Sequence, residues 1–331
     1  MKIRKCRSSR TTRALECHTP SAGPTVHYWI LTMRRVIPVC LLLPAILAGT
    51  RAHSQEPRPA LLDGRFFAAD FDGTEDAGLF PANGDGHVYT ADSLAVRKIK
   101  RGNHIENVHI AKGAGYTGDA LYFAAKTTQV LFFKASANGI QPRDNWAGTV
   151  SVWLKLNPDT DLPAGFCDPI QITSKKWNDA SFFIDFDRQL PRDFRLGVFS
   201  DYGFWNPMDV KFEDVPVTER PMITVKKPSF TKDAWTHVVF TFGNINSAQG
   251  TASAASLYLN GEPQGGLHQP MHFTWNKTDD RPDAAIIMLG IGYVGYLDNL
   301  SIWDRALSAD EVRKFHTLKH VSTPPKDSLQ Q

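Results

Sequence analysis

The chain has 331 residues, with 37 Lys+Arg against 34 Asp+Glu and a formal net charge of +3; 42% of its side chains are apolar. Residues 1–52 hold nine of the basic residues and a single acid, Glu16, so the other 28 basic and 33 acidic side chains leave the rest near −5. That balance excludes the concentrated basic surface a nucleic-acid binder needs to displace counterions.

Residues 1–32 are basic, polar and patternless, and Met33 is the expected translation start, which puts 1–32 outside the natural product. Met33-Arg34-Arg35, the apolar run 36–47 and the small residues after it have the three parts of a secretory signal over 33–54, cleaved after Ala52 or Ser54. The run is shorter than the roughly 20 residues of a membrane span, and Pro38 and Pro44 interrupt it. A transmembrane anchor is the alternative. Cys6, Cys17 and Cys40 lie in or before this segment, leaving Cys167 alone. A small disulfide-stapled module is therefore excluded, and with no suitable His near it in sequence Cys167 is expected to be an apolar filler rather than a nucleophile.

A leader over 55–62 is followed by one domain, 63–318, that reads as strand after strand. Val150, Val152, Leu154 and Leu156 share one face of TVSVWLKL, and Phe182, Ile184 and Phe186 share one face of SFFIDF. Phe194, Leu196 and Val198 continue the alternation, as do Val238, Phe240 and Phe242. Half-buried antiparallel strands give this pattern. Asn260-Gly261 supplies the positive-φ residues of a tight hairpin. Ser308 and Glu311 predict a capping box opening the one confident helix, with Val312 and Phe315 on its apolar side. The tail 319–331 is polar, carries two prolines and is expected to be disordered. The predicted fold is all-β, a two-sheet antiparallel sandwich of jelly-roll type with a short C-terminal helix.

A charge sits in the closing strand. If 296–303 is extended, Asp298 shares a face with Tyr296, Leu300 and Ile302. Burying it unpaired would be costly; a cation, an Arg or a set of backbone N–H groups must meet it.

The stretch GYVGYLDNLSIWDRALSADEVRKF (292–315) also resembles the closing segment of LamG-like jelly-roll domains, of the concanavalin A-like lectin/glucanase superfamily. Those domains carry G-x-[IL]-D-[DEN]-[VL]-x-I-[YW] before N/D-R-A-L-S and a short helix. WTHVVFTF (235–242) followed by LYLNGE (257–262) matches a second family pattern in the right order, and GDALYF (118–123) and WAGTVSVWLKL (146–156) extend the resemblance more weakly. It implies a concanavalin A-like sandwich and, where first and last strands meet, a structural calcium held by Asp70, Asp72 and Asp298, carboxylates being suited to that ion. The bland alternatives are backbone N–H donors to Asp298 or a pair with Arg305.

The superfamily's glucanases place their carboxyl pair on one strand, as E-[ILV]-D-x-x-E or E-[ILV]-D-x-E. FIDFD (183–187) has Phe at the first position, so the nucleophile is missing; Gln171-Ile172 is followed by Thr173, where related alginate lyases carry His. The expected function is a secreted or periplasmic, non-catalytic module that binds carbohydrate or a glycosylated surface. Its candidate contacts are Tyr202, Phe204 and Trp205 in SDYGFWNP, Trp177 and Asp179 in KKWND, Asp185, and, more weakly, Trp275. Aromatic faces suit the C–H faces of sugar rings. The alternatives are a polysaccharide-active enzyme using Asp179, Asp185 and Asp187, and a protein-interaction domain at the cell surface.

Overall fold

A computed structural model describes residues 60–94, 98–248, 251–275 and 284–318. Residues 1–32, the expected signal at 33–54, most of the leader and the tail lie outside the described residues. The first seven strands are β1 (Arg65–Ala69), β2 (Val88–Ala91), β3 (Ile99–Arg101), β4 (Val108–Ala111), β5 (Ala120–Phe123), β6 (Val130–Lys134) and β7 (Trp146–Lys155). Then come helix α1 (Pro158–Asp161), β8 (Cys167–Thr173), β9 (Ser181–Phe186), β10 (Phe194–Phe199) and helix α2 (Tyr202–Trp205). The chain continues through β11 (Met222–Val225), β12 (Thr236–Ile245), β13 (Ser253–Leu259), β14 (Glu262–Gln269), β15 (Ile286–Ile291), β16 (Gly295–Trp303) and helix α3 (Ala309–Thr317). Among the described residues no helix is long and apolar enough to cross a membrane.

The strands form two antiparallel sheets. Sheet A runs β14-β13-β12-β7-β16-β5-β4, with β1 also paired to β16; sheet B runs β11-β10-β9-β8-β15-β6-β2-β3. Their inner faces hold the alternating residues read from the sequence: Val150, Val152, Leu154, Val238 and Phe240 from sheet A meet Phe182, Ile184, Phe186, Leu196 and Val198 from sheet B. Phe182 is almost completely buried against Trp146, Phe242 and Phe273, and truncating such a ring costs about 3–5 kcal/mol. Cys167 is buried in the same core, and burial raises its thiol to about 11, so it stays protonated at neutral pH. The turn between β13 and β14 has both Asn260 and Gly261 at positive φ.

Helix α3 opens with the expected capping box: Ser308 Oγ accepts from the Glu311 N–H at 3.3 Å, and the Glu311 carboxylate accepts from the Ser308 N–H at 2.8 Å. Its apolar side, Val312 and Phe315, covers Trp303, Val239 and Tyr258 on the outer face of sheet A. Leu61, Leu62 and Leu307 complete this second cluster, and the Trp303 indole donates to the Leu61 carbonyl at 3.1 Å.

Candidate functional site

The aromatic loop forms a single helical turn whose position is fixed from behind. Asp201, just before α2, accepts at one oxygen from Lys175 Nζ (2.7 Å), Thr274 Oγ1 (2.9 Å) and the Thr274 N–H (3.2 Å). Its other oxygen meets His272 Nδ1 at 2.9 Å. Burial would raise this carboxyl, but the bonds from Lys175, Thr274 and His272 outweigh it and hold it below the ordinary value. Asp179 accepts from the Tyr202 N–H at 2.9 Å, and the Trp205 indole donates to the Asn178 carbonyl at 2.8 Å. Phe204, 48% exposed, stacks on His272 with ring centres 5.6 Å apart. In front of this turn lies an open cavity of about 250 Å³ lined by Phe204, Trp205, Glu219, Pro221, Gln269 and Pro270.

Of the expected contacts, Phe204 and Trp205 line the cavity. Tyr202 does not; its hydroxyl donates to Asp209 at 2.6 Å. Trp177 is 41% exposed but leans edge-on against Phe183, Phe199 and Phe212. Trp275 belongs to the core, its indole bonded to the Ala180 carbonyl at 2.6 Å. Asp185 is buried on the outer face of sheet B, opposite Arg195 in the β9–β10 register, and receives both Nε (2.8 Å) and Nη2 of that side chain. Burial pushes the Asp185 carboxyl up against the pull of Arg195. Asp168 beside it is pushed well above its ordinary value, first by burial and then by the Asp185 charge.

Asp298 is completely buried, but not on the face expected. Asn299 sits at φ +51°, and the pairing of β16 with β7 slips by one residue between Asp298 and Ser301. This bulge swaps the alternation. Leu297, Leu300 and Ile302 point into the core, while Asp298, opposite Trp153, points to the outer face with Tyr296. The loop before β5 closes over it. Asp298 Oδ2 accepts from the N–H groups of Tyr116 (2.7 Å) and Thr117 (3.3 Å), and Oδ1 from that of Asn299 (2.7 Å). Backbone N–H groups therefore meet this carboxylate, while Arg305 pairs with Glu311 instead. Even so, burial outweighs these donors and raises the carboxyl to about 8, with the Asp72 charge adding to the rise. Asp72 in turn accepts from the Asp119 N–H at 2.7 Å, and Asp119 accepts from Gly113 and Gly73. Gly118 is required here: its φ is +62°, and a Cβ would collide with the Asp72 carboxylate. Among the described residues no group of three or more His, Cys, Asp or Glu is placed to hold a metal ion. A calcium ion there would have to draw most of its six to eight oxygens from backbone or water.

Residues 134–313, more than half of the chain, match the family model Laminin_G_3, of the concanavalin A-like lectin/glucanases superfamily. The chain belongs to that superfamily. No match was found among curated proteins. Solved structures similar to it include domain 4 of AbnA, a GH43 extracellular arabinanase from Geobacillus stearothermophilus, in complex with arabinotriose: 15% identity, 76% of this chain and 98% of that one, TM-score 0.46. The binding domain of Paraclostridial Mosquitocidal Protein 1 is 13% identical over 77% of this chain and 52% of its own, with a TM-score of 0.45, so the match spans about half of that chain. The CBM40 of the Ruminococcus gnavus IT-sialidase, bound to alpha2,3 sialyllactose, is 14% identical over 60% of this chain and 96% of its own, with a TM-score of 0.38.

Within this superfamily member, the cavity takes four of its six lining residues from places the sequence did not single out. Glu219 and Pro221 come from the turn before β11, and Gln269 and Pro270 from the end of β14. No local motif marks them, because only the stacking of β10, β11 and β14 at one end of the sandwich brings them to Phe204. Asp119, likewise unmarked, ties the loop over Asp298 to the end of the first strand.

Proposed function

We propose that this protein is a secreted, non-catalytic binding module that takes carbohydrate in the cavity beside Phe204 and Trp205. The observation that carries the reading is the lining of that cavity: Trp205, held by its indole bond to Asn178, and Phe204, stacked on His272, together with the polar residues Glu219 and Gln269. Such a surface offers planar faces to sugar C–H groups and a few polar groups to orient the hydroxyls. Membership of a superfamily of lectins and glucanases agrees with it. Secretion rests on the signal-like segment at 33–54.

The enzyme alternative finds its carboxylates occupied. Asp179 holds Lys175 and the Tyr202 N–H, Asp185 is paired with Arg195, and Asp187 accepts from the Gln189 and Asp193 N–H groups. None of the three lines the cavity. A structural calcium at Asp70, Asp72 and Asp298 belongs to the proposal as well, supported by the burial of the Asp298 carboxyl, which a bound cation would relieve.

Binding to a panel of immobilised oligosaccharides tests the reading. The wild-type protein is expected to retain a subset of sugars, and Phe204→Ala and Trp205→Ala to lose about tenfold or more in affinity, since stacking on one aromatic is worth on the order of 1–2 kcal/mol. Retention of no sugar, with capture of a protein from surface extracts instead, would favour the protein-interaction alternative.

A further inference from the structure

This inference rests on the carbohydrate reading and adds its selectivity. The two polar side chains of the cavity, Glu219 and Gln269, have no hydrogen bond or ion pair among the described residues. Elsewhere around α2 the polar groups are committed: the Trp205 indole to Asn178, and Asp201 to Lys175, Thr274 and His272. The neighbouring cations are committed too. Lys175 lies between Asp201 at 2.7 Å and Asp179 at 3.3 Å. Arg220, next to Glu219 in the chain, donates its Nε and Nη2 to the carbonyls of Val215 and Glu213, with its guanidinium over the Phe212 ring.

We infer that Glu219 sets the class of ligand, selecting neutral, hydroxyl-rich sugars against those bearing uronate, sialate or sulfate groups. A carboxylate accepts two adjacent sugar hydroxyls through charge-assisted bonds, and the Gln269 amide both donates and accepts. With Phe204 and Trp205 on the apolar side, the cavity presents a complete set of contacts for a neutral pyranose or furanose. An anionic sugar placed there meets a like charge, and among the described residues Lys175 is already paired with Asp201 and Asp179 while the Arg220 guanidinium is turned to the Val215 and Glu213 carbonyls. Selectivity of this kind comes from the repulsive element as much as from the attractive one.

The experiment is calorimetric or array binding of the full chain to neutral hexose and pentose oligosaccharides and to matched uronate- and sulfate-bearing ones, at 20 and 150 mM salt. Wild type, Glu219→Gln and Phe204→Ala are compared. The wild-type protein should bind the neutral sugars about tenfold or more tightly than their acidic counterparts at low salt, with the gap narrowing as salt screens the exposed carboxylate. In Glu219→Gln the neutral sugars should weaken about fivefold, since a charge-assisted bond becomes a neutral one, and the discrimination should shrink to about threefold or less. Equal retention of acidic and neutral sugars by the wild type, or an unchanged ratio in Glu219→Gln, overturns the inference and leaves carbohydrate binding standing. No sugar of either kind retained, or binding untouched by Phe204→Ala, removes the carbohydrate site and the selectivity with it.

Discussion

Lowering the pH from 7 to 4 should cost the fold about 3 kcal/mol through one residue, His237. Its ring is completely buried on the outer face of sheet A, packed against Trp153 (ring centres 4.5 Å apart) and His316 (5.5 Å). Nε2 meets Ser151 Oγ at 2.8 Å, and Nδ1 has no partner among the described residues. Burial first, and the neighbouring His316 second, push its pKa from 6.5 to about 3. Between those two values the unfolded chain carries the proton and the folded protein does not, so stability rises with pH in that window. It is fully present above 6.5 and lost as pH falls toward 3, at about 1.4 kcal/mol per pH unit and about 5 kcal/mol over the whole range. Urea unfolding at pH 7, 6, 5 and 4, followed by tryptophan fluorescence, measures this in the wild type and in His237→Gln, which keeps a partner for Ser151 but cannot titrate. The variant should be less stable at pH 7, because the ring contacts are gone, and the gap should close by about 1.4 kcal/mol per unit below pH 6.5. Parallel stability curves for the two proteins would refute the reasoning.

Asp298 predicts the opposite sign. Its folded pKa of about 8 lies above the unfolded value of 3.8, so its contribution is full below pH 3.8 and declines as pH rises toward 8; Asp298→Asn should flatten the slope between those two values in thermal melts. The proposed calcium is tested in the same melts: added calcium should raise Tm, EDTA should lower it, and Asp298→Asn should abolish both responses, whereas a melt indifferent to EDTA removes the metal from the account. Asp185→Asn leaves Arg195 charged in a largely buried position and should destabilise the protein by about 3 kcal/mol without changing sugar affinity. A loss of binding with stability intact would move the site to sheet B.

The strand framework was legible because half-buried strands impose a period of two: every inward residue named in 150–156, 182–186, 194–198 and 238–242 lies in the core. The Ser308–Glu311 box and the Asn260-Gly261 turn were legible because their chemistry is local. What was hidden depends on partners far along the chain. A single left-handed residue, Asn299, turns Asp298 away from Leu300 and Ile302, and its N–H donors come from Tyr116 and Thr117, more than 180 positions upstream. Arg195 faces Asp185 only once β9 and β10 are in register. The two aromatic residues of the cavity could be read from SDYGFWNP, but Glu219 and Gln269 are ordinary polar residues until the sandwich assembles them.

Strand β16 is the last strand among the described residues but lies inside sheet A, hydrogen-bonded to β7, β5 and β1. As the polypeptide leaves the ribosome, β1 therefore has no partner strand in sheet A until β16 has been made, and the Leu61–Trp303 contact spans 242 positions. Closing so long a loop before its contacts are rewarded favours slow folding, with unpaired strand edges exposed throughout synthesis and an early demand for chaperones.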